Sequence, residues 1–172
     1  MSREKVAGPR ARVHLRHERA VTFDAMRGIW IRQIVSDEVV WNLVTDAGRR
    51  RLHAYIYGTT RNTLGSGLNF IALSNDGTVP AQGDTILAGE LTNGVAPGLG
   101  RSQATVTLPV GSGTTTTLAN VFTFTGTGPQ AIQKAALFDD PTAGVMAHEI
   151  QFTPRTLFPN DTITISYTIA IS

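Results

Sequence analysis

The stretch "DTITISYTIAIS" (161–172) decides the fold. Ile163, Ile165, Tyr167, Ile169 and Ile171 share one parity, and Thr162, Thr164, Ser166 and Thr168 share the other. Side chains alternate between the two faces of a strand, so this segment reads as a β-strand with an apolar inner face and a neutral hydroxyl outer face. Asp161, following Pro159 and Asn160, belongs to the turn that launches it.

Similar segments precede it at intervals of about a dozen residues, separated by Gly, Pro or Asp turns. They are "QATVTLPV" (103–110), "TTTTLANVFTFT" (114–125), "QAIQKAALF" (130–138) and "GVMAHEIQF" (144–152). "LNFIALS" (68–74) reads as a buried strand, and "GIWIRQIV" (28–35) and "EVVWNLVT" (38–45) as two more. Such a series predicts a mainly β chain, an antiparallel β-sandwich of jelly-roll-like kind. One short helix is expected near 46–57, within "TDAGRRRLHAYIYG" (45–58). Thr45 would be its N-cap and Gly58 its end, with Leu52, Tyr55 and Ile56 on one face. Residues 1–20 read as an extended basic arm and 21–172 as a single domain. The 26 residues between 75 and 100 are dense in Gly, Pro, Asn and Asp, a long connection of the kind that is functional or interface-forming.

Composition narrows the function classes. The 172 residues are enough for one domain with a real core. There is no Cys, so disulfides, thiolate metal sites and Cys nucleophiles are excluded. No apolar run approaches the roughly 18 residues of a membrane helix, and the N-terminal stretch lacks the apolar centre of a secretory leader. Net charge is +2 but uneven: through His53 there are 11 basic and 6 acidic residues, and from Ala54 onward 4 basic and 7 acidic. A basic front suits an acidic partner. Aromatic stacking residues are sparse in the arm, which weighs against nucleic acid.

No catalytic spacing emerges. His148 and Glu149 are adjacent, so on a strand they face opposite ways, and His148 is expected at a surface or edge. Asp139-Asp140-Pro141 reads as a turn. Asp76, Asp84 and Glu90 offer oxygens to a hard cation, but turn formation explains them more simply. "GLGRSQ" (98–103) and "GSGLNF" (65–70) do not open a helix after a strand, so they are not phosphate loops. The reading is of a non-enzyme with no cofactor, no metal and no small-molecule ligand. Candidate interface residues are Arg10, Arg12, Arg16 and Arg19 of the arm, Trp30, and Arg49 and Arg50 of the expected helix.

Several motifs carry a family resemblance. They are "FIALSNDGTVPAQGDTILAGEL" (70–91), "FTFTGTG" (122–128), "KAALFD" (134–139) with "AGVMAHE" (143–149), and "NDTITISYTI" (160–169), preceded by "VVWNLVTDAGRRRLHAYIYG" (39–58). Over residues 39–172 the chain resembles a group of tailed-bacteriophage virion proteins, often called tail-fibre or structural proteins. The resemblance implies assembly rather than catalysis and brings no active-site residues. It implies a virion location, with the major capsid protein or other virion proteins as partners. The leading expectation is a capsid-decorating (cement) protein, oligomeric, with a trimer suited to local three-fold positions. A tail, neck or tail-fibre component is the alternative, and a carbohydrate- or receptor-binding module a third reading.

Overall fold

The computed structural model describes residues 11–24, 29–41, 43–45, 67–107 and 115–170. Ten strands follow in chain order: β1 (Ala11–Asp24), β2 (Ile29–Trp41), β3 (Leu43–Val44), β4 (Phe70–Ser74), β5 (Ser102–Gln103), β6 (Thr105–Thr107), β7 (Thr115–Thr123), β8 (Gln130–Phe138), β9 (Met146–Leu157) and β10 (Thr162–Ala170). They form two five-stranded antiparallel sheets, ordered β2-β1-β10-β7-β6 and β3-β9-β8-β4-β5.

The parity of "DTITISYTIAIS" sets the first sheet. Tyr167 lies opposite Val13 of β1 and Leu118 of β7, and Ile165 opposite Leu15. Ile163 lies opposite His17 and Phe122. Directly paired residues share a face, and these rows are buried. They meet Ile71, Leu73, Ile132, Ala135, Leu137, Ile150, Phe152 and Leu157 of the second sheet in one cluster, so the sheets pack face to face. Each fully buried large apolar side chain contributes about 1.5–3 kcal/mol. Outside, Thr164, Ser166 and Thr168 lie opposite Val121, Ala119 and Thr117 of β7 on one side and Arg16, His14 and Arg12 of β1 on the other.

The long 75–100 connection covers part of the second sheet's outer face. Leu87 packs there on Ala72, Ala136, Phe138 and Met146. Leu91 donates its N–H to Leu73 O at 2.8 Å, and Leu91, Ala96 and Leu99 join the main core. Gly98 has φ 83°, and a Cβ there would stand 1.9 Å from Thr123 O, so only glycine fits.

Three expectations are corrected. The described residues contain no helix, and 46–57, where one short helix was expected, lies outside them. Thr45, the expected N-cap, extends the second sheet instead. Its N–H donates to Ala147 O, and its hydroxyl donates to Met146 O at 3.0 Å. The jelly-roll-like topology is also replaced. β1–β2, β4–β5, β6–β7 and β8–β9 are each sequence neighbours paired within one sheet, and the pairings β1–β10, β7–β10, β4–β8 and β3–β9 join them, which is not the pair of Greek keys of a jelly roll. Finally, "QATVTLPV" is not one strand. β5 pairs with β4 in the second sheet and β6 with β7 in the first, so the chain changes layer at Ala104, whose N–H donates to Asn69 O at 2.7 Å.

Ile165→Asp should abolish cooperative folding, because it places an unpaired carboxylate between the sheets. Thr164→Ser, one position away on the outer wall, should shift stability by no more than about 0.5 kcal/mol. Equal chemical-denaturation midpoints for the two variants would contradict the parity.

Candidate functional site

The most concentrated polar chemistry among the described residues lies beneath the 75–100 cover. Lys134 on β8 projects to the outer face of the second sheet and is 1% exposed. Its Nζ lies 3.0 Å from Glu149 Oε1, on the adjacent β9, and Glu149 is also 1% exposed. On its other side Nζ lies 2.8 Å from Asp76 Oδ2, just past the end of β4. It also donates to Thr78 Oγ1 at 2.9 Å. β4, β8 and β9 are consecutive in the sheet, which is why residues so distant in sequence converge.

The electrostatics follow from this packing. The hydrogen bond from Lys134, with those from Thr78, holds the Asp76 carboxyl down to about 2. Burial alone would lower the Lys134 ammonium. Its bonds to Asp76 and Glu149 outweigh that and hold it above the ordinary lysine value. Burial raises the Glu149 carboxyl despite Lys134, and Asp84 raises it further. Glu149 Oε2 is buried and receives no hydrogen bond from the described residues.

The segment is tied down around this cluster. Gln133 Nε2 donates to Asn75 O at 2.8 Å, and Gln151 Nε2 to Gly77 O at 2.6 Å. Further along, Arg101 makes a two-pronged bond to Glu90, with Nε–Oε1 at 2.9 Å and Nη2–Oε2 at 2.8 Å. The guanidinium also donates to Asp140 O and Ala143 O and lies over the Phe138 ring. Asp140 Oδ1 accepts from the N–H groups of Thr142 and Ala143, the turn that "DDPTAG" predicts.

His148 and Glu149 do face opposite ways. His148, however, is buried, not at a surface or edge, because β9 is paired on both sides, with Val44 and with Leu137, and the ring faces the first sheet. Its ring lies 6.3 Å from that of Tyr167, and burial holds it down to about 4. The Tyr167 phenol is pushed up by the same burial. At one end of the sandwich, His17 Nε2 lies 3.2 Å from the buried Asp161 Oδ2, which also accepts from Phe158 N–H.

Two of the candidate interface residues, Arg16 and Arg19, have described side chains. Arg16 is exposed and paired with Glu18 at 2.7 Å. Arg19 lies over the Phe158 ring, with Nε 3.7 Å from Asp161. Arg12 stands on β1 opposite Thr168 and Trp41, and Trp30 on β2 opposite Phe23. Arg10, Arg49 and Arg50 lie outside the described residues. Asp76 and Glu90, weighed above as cation ligands, are paired with Lys134 and Arg101, and Asp84 Oδ2 accepts from Ala81 N–H at 2.7 Å.

Sequence reasoning passed over Lys134 and Arg101 and weighed Glu149 only beside His148. One signal was available: Lys134 is one of two lysines in the chain and sits in the otherwise uncharged strand "QAIQKAALF". No family model matches the chain, and no curated protein matches it.

Lys134→Met alone should destabilise the fold by about 3–5 kcal/mol, because Glu149 is left charged and buried. The double variant Lys134→Met/Glu149→Leu should recover part of that loss, a comparison that urea unfolding makes directly.

His148 predicts acid sensitivity. Its folded value near 4 lies below the ordinary 6.5, so the unfolded chain takes up a proton that the buried ring refuses. Stability therefore falls as pH drops from about 6.5 to about 4, by on the order of 3 kcal/mol. Glu149 acts in the opposite sense, since its raised value favours the folded state as it protonates. Thermal melts of wild type and His148→Phe across this window separate the two, and the variant should show the flatter acid limb.

Proposed function

We propose that the protein is a non-enzymatic structural component of a bacteriophage virion, with decoration of the outer head surface as its role. The resemblance over residues 39–172 supports this reading. The geometric observation that carries it is an apolar edge. β2 ends the first sheet, and Val21, Ile34, Val35 and Val39 on β1 and β2 are 50%, 50%, 48% and 53% exposed. A long edge strand with aliphatic side chains at its surface is a template for another chain unless something covers it. An assembly partner can do so by strand addition or by packing on these side chains.

The partner is then the major capsid protein or another virion protein, and a trimer suits a local three-fold position. Many copies on one particle turn a weak contact into stable occupancy.

The fold constrains the test. Deleting residues 1–20 would remove Val13 and Leu15 from the core, so loss of binding could follow from unfolding. Ile34→Lys and Val39→Lys act on exposed side chains and should leave the melting temperature nearly unchanged. Each should lower occupancy on particles assembled without the wild-type protein, measured by sedimentation and gel densitometry. Undiminished occupancy for both would remove the β2 edge from the interface. In electron microscopy of labelled particles, density on heads supports decoration. Density on tails would move the protein to a tail, neck or fibre role.

A further inference from the structure

The 75–100 cover turns a second apolar surface outward, apart from the β2 edge. Its first part, 75–89, is a closed loop. Asn75 N–H donates to Gly89 O at 3.3 Å and Ser74 Oγ to Ala88 O, so the two ends lie side by side at the end of β4. The inner side is fixed by Leu87 in its apolar cluster and by Asp76 and Thr78 on Lys134. Near the tip, Asp84 N–H donates to Ala81 O at 3.1 Å, and Ala81 N–H donates to Asp84 Oδ2. The loop is therefore shaped before any partner arrives, which lowers the ordering cost of a contact.

What the loop presents is neutral. Val79 and Ile86 are 79% and 74% exposed, more than any aliphatic side chain of the β2 edge. The exposed residues beside them, Thr78, Ala81, Gln82, Gly83 and Thr85, carry no charge. The two acids of the loop are partly buried and bonded within the fold, Asp76 to Lys134 and Asp84 to Ala81. The β1–β2 surface differs, since Arg16, Arg32 and Asp37 are exposed there.

This difference in charge selects the partner. Near a rotation axis each residue meets its own copies, so an outward charge would face a like charge. A neutral aliphatic side chain instead gains by meeting itself, and contacts between identical chains are the more apolar class. We propose that the 75–89 loop is the self-association surface of this chain, with copies meeting about a rotation axis and Val79 and Ile86 packed against their counterparts. The β2 edge stays free for the particle, so the two contacts use different surfaces. The self-contact does not rest on the virion reading.

Sedimentation velocity of the purified full chain over a concentration series tests this. The wild type should reach an integral multiple of the 18.4 kDa chain mass, unchanged by added salt because no ion pair lies at the contact. Val79→Lys and Ile86→Lys should each return it to the mass of one chain. So should Gly83→Arg, because a Cβ at Gly83 meets nothing within 4 Å and the fold accepts the side chain. All three positions are exposed, so thermal melts of the variants should match the wild type. Ile34→Lys, at the β2 edge, should keep the wild-type mass. A wild-type mass of one chain at every concentration overturns the proposal. An oligomer that survives all three loop variants also overturns it, and if Ile34→Lys then dissolves that oligomer, self-association belongs to the β2 edge. A single-chain wild type whose loop variants lose occupancy on particles would give the loop to the particle partner instead. The sedimentation measurement needs no particle, so its failure and that of the virion reading are told apart.

Discussion

The sandwich depends on β10 being paired on both sides. It is the middle strand of the first sheet, flanked by β1 and β7, which lie far from one another in sequence. Its Ile163, Ile165 and Tyr167 are completely buried and meet both neighbours row by row. A slip of one residue would turn the threonines inward and the isoleucines outward, so burial on one face sets the register of three strands at once. β1 therefore acts as structural wall: its inward Val13, Leu15 and His17 complete rows that β10 begins.

The second sheet is built on a different principle. Its inner face is apolar, as the pattern requires, but its outer face carries Lys134 and Glu149 beside Ala136, Phe138 and Met146. The mixed face is possible because 75–100 covers it with Leu87 and supplies Asp76 as the second acid. The cover is also anchored by Arg101, whose guanidinium joins Glu90, two carbonyls of the 139–144 turn and the Phe138 ring. This length of loop, with so little regular structure, is held by side-chain bonds at both ends and by apolar anchors between.

Much of this was legible in sequence wherever a local rule sufficed. The period of two in 161–172 located a strand and its faces, turn-bounded runs located strands at 130–138 and 144–152, and "DDPTAG" located a turn through its aspartate. What escaped depends on contacts between distant residues. Nothing local distinguishes a continuous "QATVTLPV" strand from one that changes sheets at Ala104. "MAHEIQF" shows that His148 and Glu149 face opposite ways. Only the packing of the other sheet over His148 and of the 75–100 cover over Glu149 shows that each is buried. Thr45 illustrates the same limit. A threonine before a helical pattern is a good N-cap by rule, but its hydroxyl here bonds β9 across a hundred residues.

Cover and ion cluster also depend on one another. Lys134 is shielded from water only when 75–100 lies over the sheet, and shielding is what makes its attraction to Asp76 and Glu149 strong. The cover in turn starts at Asp76 and Gly77, whose positions are set by Lys134 and Gln151. Removing either side exposes the other to water and weakens it, so the two should form as one cooperative unit. Two carboxylates against one ammonium, with Asp84 acting on Glu149 as well, leave an excess of negative charge. Burial and Asp84 push Glu149 toward its protonated form, which relieves part of it.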